Sequence, residues 1–255
     1  MIGISLFEKK GRNVRLTRAG QDFAHAVAVS LGQLEIATRS AHIIEASTAP
    51  QALTVSLPPS LGMAWLNSTI IQFSESHNIP DLTIKSAMVL SDVDWETCDI
   101  AVVYDRPPFL GKNWHILSNV RLIPVCSPIF FPNLDLQKRH TTLTGITLLH
   151  EDDGHEWSRW AVTAGMSLMG SQRVCVASAA HAIASAVQGR GIALASDVLT
   201  RNYLAEGALI HPFPKSINAS HDYYIICPEK RSEEPLIRSL VEHIVSCMRP
   251  IRMTS

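Results

Sequence analysis

The sequence predicts an α/β protein built as two subdomains, preceded by a short basic hairpin and a long helix. Three observations carry that expectation. After Pro50, short apolar runs alternate with helical stretches, the pattern of a mostly parallel sheet with right-handed crossovers. From Thr17 to about Ala46 there is no proline, and Phe23, Val27, Ser30, Leu34, Ala37, Ala41 and Ile44 recur in alternating steps of four and three. Ahead of that helix, Leu6-Phe7 and the alternating Val14-Arg15-Leu16 flank Gly11, which permits a tight turn.

The hairpin carries Lys9, Lys10, Arg12, Arg15 and Arg18 against Glu8 alone. Such a patch suits a phosphate backbone, because each neutralised phosphate releases counterions, and it equally suits a solvated basic terminus. Thr17 is placed to cap the helix, its hydroxyl accepting from a free amide of the first turn. The seam of the long helix has the heptad spacing of a helix that pairs with a partner, and its small residues allow close approach. Ala49-Pro50 closes it.

Leu53 to Leu57 reads as the first strand of the α/β part, followed by Pro58-Pro59-Ser60 and an apolar helix over Leu61 to Phe73. Leu82 to Leu90, Asp99 to Tyr104 and Arg121 to Cys126 read as further strands. The third of these four is apolar enough to be buried on both faces. In the second half, strands are expected at Ile146 to His150, Arg173 to Ala177, Ile192 to Ala195 and Tyr223 to Cys227. Helices are expected over His155 to Ala164, over Ala179 to Gln188 after a Ser178 cap, from Ser196-Asp197 to the Gly207 stop, and over Glu233 to Met248.

The stretch LFEKKGRNVRLTRAG, residues 6–20, resembles the wing and linker start of LysR-type transcriptional regulators, which typically reads LFxRxxRxVxLTxAG. Phe7, Arg12, Val14, Leu16, Thr17, Ala19 and Gly20 fall on the pattern. Ala186-x-x-Gly189-x-Gly191-Ile192-Ala193-Leu194 and Leu204-x-x-Gly207-x-Leu209-Ile210 resemble that family's effector domain. So do Asp99-Ile100-Ala101-Val102 and Pro124-Val125-Cys126-Ser127-Pro128. Residues 151–160, EDDGHEWSRW, resemble the branch that contains glycine-cleavage and β-lactamase regulators. Ser196 stands where the family often has proline, and serine is a good N-cap.

The resemblance implies a periplasmic-binding-protein-like effector domain over residues 51–255. Subdomain I is expected at about 51–121 plus 219–255 and subdomain II at about 122–218. Residues 17–48 would be the linker and dimerisation helix, and residues 1–16 the wing remnant of a winged helix-turn-helix. Only Met1 to Ser5 precede the wing, so the expectation is a regulator lacking its recognition helix. The family function would be effector-controlled, DNA-binding transcriptional regulation. The alternative is a DNA-blind effector sensor that oligomerises with full-length relatives. The implied partners are DNA, contacted through Lys10, Arg12 and Arg15, a small anionic effector, and a second copy of the chain through the linker helix.

Small ligands favour the cleft of such a fold, outside the carboxyl ends of the strands. Ser60 and Ser178 each stand at an expected helix start, where free amides and the helix dipole suit an anion. Each also reads as a plain cap. Tyr104 and Asp105 follow the third strand near the cleft mouth, Ser91 follows the second, and His150 ends a strand of the second subdomain. His150, Asp152, Asp153, His155 and Glu156 together lack the spacing of a tetrahedral metal site, so no metal and no cofactor are expected. No nucleophile elbow, phosphate-binding glycine loop or HExxH motif occurs, so the sequence reads as a regulator and not an enzyme.

At 255 residues, with 46% hydrophobic and 18% charged residues, the composition is that of an ordinary globular chain. A net charge of -1 requires any nucleic-acid contact to come from a local patch. The five dispersed cysteines, with no CxxC pair, point to free buried thiols in a reducing cytoplasm. No apolar run is long enough to span a bilayer.

Overall fold

The computed structural model describes residues 5–10, 13–21, 23–24, 26–27, 52–130, 132 and 142–248. The chain divides into two compact units, one of residues 1–50 with 76–78, the other of residues 51–75 with 79–255.

In the first unit, β1 (Phe7–Lys10) and β2 (Asn13–Leu16) pair antiparallel, with Phe7 opposite Leu16 and Lys10 opposite Asn13. Helix begins at Arg18. Thr17 caps it, the hydroxyl accepting from Gly20 N–H at 3.0 Å while donating to the Ser5 carbonyl at 2.8 Å. A Cβ on residue 20 would come within 2.0 Å of the Leu6 carbonyl oxygen, so hairpin and helix meet at a contact only glycine permits. Phe23 and Val27, the first two seam positions, are exposed. The seam from Ser30 to Ile44 lies outside the described residues, as does Arg12.

The second unit holds two five-stranded sheets. The first, in the order β4-β3-β5-β12-β6, uses β3 (Ala52–Leu57), β4 (Asp81–Ser86), β5 (Ile100–Asp105), β6 (Lys112–Ser118) and β12 (Asp222–Pro228). The second, in the order β11-β7-β10-β8-β9, uses β7 (Arg121–Val125), β8 (Thr147–His150), β9 (Gln172–Cys175), β10 (Ile192–Ser196) and β11 (Ile217–Asn218). The chain crosses between the sheets twice, and the crossings pair: Ala219 N–H donates to the Val120 carbonyl at 2.9 Å.

Both sheets are mixed, which corrects the expectation of mostly parallel pairing. β3 runs parallel to β4 and β5, and β8 parallel to β9 and β10. But β12 lies antiparallel between β5 and β6, and β7 antiparallel between β10 and β11. The returning strands supply the antiparallel partners. Ile100 to Val103 are fully buried, as their apolar run requires.

The helices are α1 (Pro59–Leu61), a π-turn over Gly62–Leu66 and α2 (Asn67–Ser76) in one continuous stretch, then α3 (His155–Ala164), α4 (Ala179–Val187), α5 (Asp197–Ala205) and α6 (Pro235–Met248). Pro59 suits the first helical turn, where its missing N–H costs no intrahelical bond. Ser196 caps α5, accepting from Val198 N–H at 3.1 Å. Gly191, at φ 158°, sits where a Cβ would meet the Thr147 carbonyl oxygen at 2.5 Å, which lets β10 pack beside β8.

One apolar cluster runs through both lobes, from Val55, Ile70 and Phe73 to Ile183, Ala193 and Leu199. In the second lobe Trp157 and Trp160 meet edge to face at 5.4 Å, both buried, and each indole N–H reaches a carbonyl: Leu149 at 3.0 Å and Lys215 at 2.9 Å. Cys98, Cys126 and Cys227 are buried, whereas Cys175 and Cys247 are exposed, so only part of the cysteine set follows the buried-thiol expectation.

Candidate functional site

In each sheet the strand order reverses once. β4 lies on one side of β3 and β5 on the other; β9 lies on one side of β8 and β10 on the other. Chain leaving the carboxyl ends of β3 and β5 therefore diverges, as does chain leaving β8 and β10, and each reversal leaves a crevice. The two crevices share one cleft of about 340 Å³. Pro58 and Ser60 follow β3, Tyr104 is the penultimate residue of β5, His150 ends β8, and Ala195 and Ser196 end β10; all of them line it.

Among the residues singled out in the sequence, Ser60, Tyr104 and His150 therefore meet in this cleft. Ser60 is buried and its Oγ accepts from the Ala180 N–H of the opposite lobe at 3.2 Å. His150 is buried, with Nδ1 2.8 Å from the Asp152 carbonyl and 3.3 Å from Asp152 Oδ1. The Tyr104 ring packs against His221 at 5.3 Å and Tyr223 at 5.2 Å. Burial pushes the Tyr104 hydroxyl up to about 12, and the charges of Glu156, Glu151 and Asp222 add to that rise.

Ser91, Asp105 and Ser178 do not line the cleft, and each has local work. Ser91 is exposed in a short 3-10 turn, Leu90–Asp92. Asp105 accepts from the Leu90 N–H at 2.9 Å and the Arg106 N–H at 2.8 Å, tying that turn to the end of β5. Ser178 precedes α4 in extended conformation, its hydroxyl 2.8 Å from His181 Nδ1. Of the basic residues, Lys10 and Arg15 lie on β1 and β2.

The reading of free helix amides meets a different arrangement at α4. Glu151 Oε2 accepts from Ala179 N–H at 2.6 Å and Ser60 Oγ accepts from Ala180 N–H, so the first two amides are taken by the protein itself. At α3 the Asp152 carboxylate accepts from Glu156 N–H at 2.9 Å and Asp153 from His155 N–H at 2.9 Å. Among the described residues the lining includes Glu151, Asp152 and Glu156 and no lysine or arginine.

Sequence reasoning missed Glu151, Ser220, His221 and Tyr223 as cleft residues. Glu151 was visible only as part of an acidic run, and Tyr223 only as one position of a buried strand. Ser220 donates to Glu156 Oε1 at 2.6 Å and receives Arg159 at 3.3 Å, while Glu156 and Arg159 form an ion pair. Among the described residues no group of three His, Cys, Asp or Glu is arranged to hold a metal ion. Among them, too, no helix is long and apolar enough to cross a membrane.

The LysR substrate binding domain matches residues 47–248. The glycine cleavage system transcriptional activator of Escherichia coli K12 is 28% identical over 233 residues, 91% of this chain and 75% of that protein. The effector binding domain of AmpR from Citrobacter freundii superposes with a TM-score of 0.61 at 20% identity, over 78% of this chain and 98% of that one. CrgA, a LysR-type regulator from Neisseria meningitidis, does so with a TM-score of 0.62 at 18% identity, over 96% and 84%. The fold, the cleft at its paired strand ends and this match over most of the length make the chain a member of the LysR family of transcriptional regulators, which are not enzymes.

Proposed function

We infer that this chain senses a small molecule in the cleft between its two sheets and passes the result to DNA through the helix and hairpin at its N-terminal end. The observation that carries this is the Ser60–Ala180 hydrogen bond, a contact between lobes at the wall of the cleft. A ligand that prefers one lobe arrangement over another shifts the balance between them, and only that difference in affinity can do regulatory work. The basic hairpin, with Lys10, Arg12 and Arg15, is the surface for the phosphate backbone. The helix after Thr17, with its exposed Phe23 and Val27, is the surface for self-association.

The test is selection of bound duplexes from a random DNA library by the full chain, across a salt series. Enrichment of a sequence motif would make the chain a base-reading regulator. Salt-dependent retention without a motif would assign it sensing and self-association alone, with the hairpin touching only phosphates. Absence of any retention would overturn the DNA part of the reading.

A further inference from the structure

We propose that the effector carries a protonated amine, held between the Glu151 carboxylate and the Tyr104–Tyr223 wall of the cleft. This rests on the reading of the cleft as the effector site and names the ligand's chemical class. It replaces the anionic ligand expected from the sequence.

The first observation is charge balance. Asp152 faces His150, and Glu156 is paired with Arg159 and hydrogen-bonded by Ser220. Glu151 has, among the described residues, one neutral donor, the Ala179 N–H, and no cationic partner. Glu151 is exposed, and partial desolvation at the cleft wall raises its pKa. Glu151 lines a cavity that holds, among the described residues, no lysine or arginine. A ligand ammonium finds a counter-charge here, whereas a ligand carboxylate or phosphate would meet like charge, with the nearest helix amides already occupied.

The second observation is independent of charge. Tyr223 is 5% exposed and lines the cleft, and its hydroxyl makes no hydrogen bond among the described residues. The side chain is buried while its oxygen, which is not among the buried unpartnered atoms, opens on the cleft and is free to pair with a ligand. An ammonium has three protons to donate and no acceptor, so it can satisfy both the Tyr223 oxygen and Glu151.

The test is thermal shift and calorimetry on the full chain with the common amino acids, putrescine, the derivative of each with every amine acetylated, and citrate and phosphate as anionic controls. Each compound is supplied at about 10 mM, enough to stabilise measurably even at millimolar affinity. The expected result is stabilisation by at least one amine and not by its fully acetylated derivative. Glu151→Gln, which retains an acceptor for Ala179 N–H, should weaken that amine roughly tenfold or more, and Tyr223→Phe should weaken it too.

Stabilisation by none of the amines, by the anions instead, or equally in Glu151→Gln would overturn the proposal. Met88→Trp, which narrows the cleft, separates the two readings. If a non-amine binds and Met88→Trp abolishes it, the amine proposal fails while the cleft reading stands. If an amine binds and Met88→Trp leaves it unchanged, both fail.

Discussion

Ser60 and Ala180, 120 positions apart in the chain, are joined across the cleft by one hydrogen bond from the Ala180 N–H to Ser60 Oγ. The donor is the second amide of α4 and the acceptor sits in the first turn of α1, so the bond fixes the spacing of two helix starts. Ser60→Ala leaves that amide without its partner, at a cost of about 1–2 kcal/mol. Hydrogen exchange should show Ala180 exchanging faster in the variant while the amides of β3 and β10 keep their rates. An unchanged Ala180 rate would mean the bond does not hold the lobes.

Asp152 should stabilise the fold against acid. Although burial pushes its carboxyl up, hydrogen bonds from the backbone of Glu156, Gly154 and Asp152 itself and the charge of His150 together hold it below 3.8. A lowered carboxyl contributes stability that is present above its unfolded value and lost as pH falls through the folded one. The parent should therefore melt higher than Asp152→Asn at neutral pH, with the gap closing only below about pH 4.

Glu151 should show the opposite sign. Desolvation raises its pKa from 4.5, the Ala179 N–H opposes that, and the Asp152 charge adds to it. The folded protein then takes up this proton more readily than the unfolded chain, so the ionised form costs stability that is recovered as pH falls toward 4.5. Melting curves of the parent and Glu151→Gln across pH should show the parent gaining on the variant as the solution is acidified. If the amine proposal holds, ligand affinity falls over the same window, because the protonated carboxyl loses its charge.

Phe23 and Val27 stand one helical turn apart and exposed, at the start of the heptad seam. Replacing both by glutamate should shift sedimentation of the full chain toward the monomer while leaving the melting of the α/β unit unchanged. Retained self-association would move the interface elsewhere.

Local order was legible wherever pattern and punctuation agreed. The helix expected from about His155 to Ala164 spans His155–Ala164, where Gly154 and Gly165 flank it and Trp157, Trp160 and Ala161 are buried. β6 was missed: Trp114 and Ile116 are exposed on an edge strand, so its burial does not alternate as the sequence pattern requires. The strand expected through Leu90 ends at Ser86, because Asp92 draws the following backbone into a turn by accepting from Met88 and Val89. The mixed sheet direction was hidden because β12 pairs with β5 across more than 100 residues, a contact no local pattern encodes. The same holds for the cleft. Tyr104 and His150 could be placed at strand ends, but the occupation of the α4 amides by Glu151 and Ser60 depends on which strands are neighbours.

One ligand in the cleft should be gripped by both lobes. Hydrogen exchange of the full chain with and without a stabilising amine tests it most directly. Protection is expected on both sides at once, around Tyr104 and Ser220 to Tyr223 in one lobe and around His150 to Trp157 and Leu194 to Ser196 in the other. Protection confined to a single lobe, or lying away from the cleft, would contradict it.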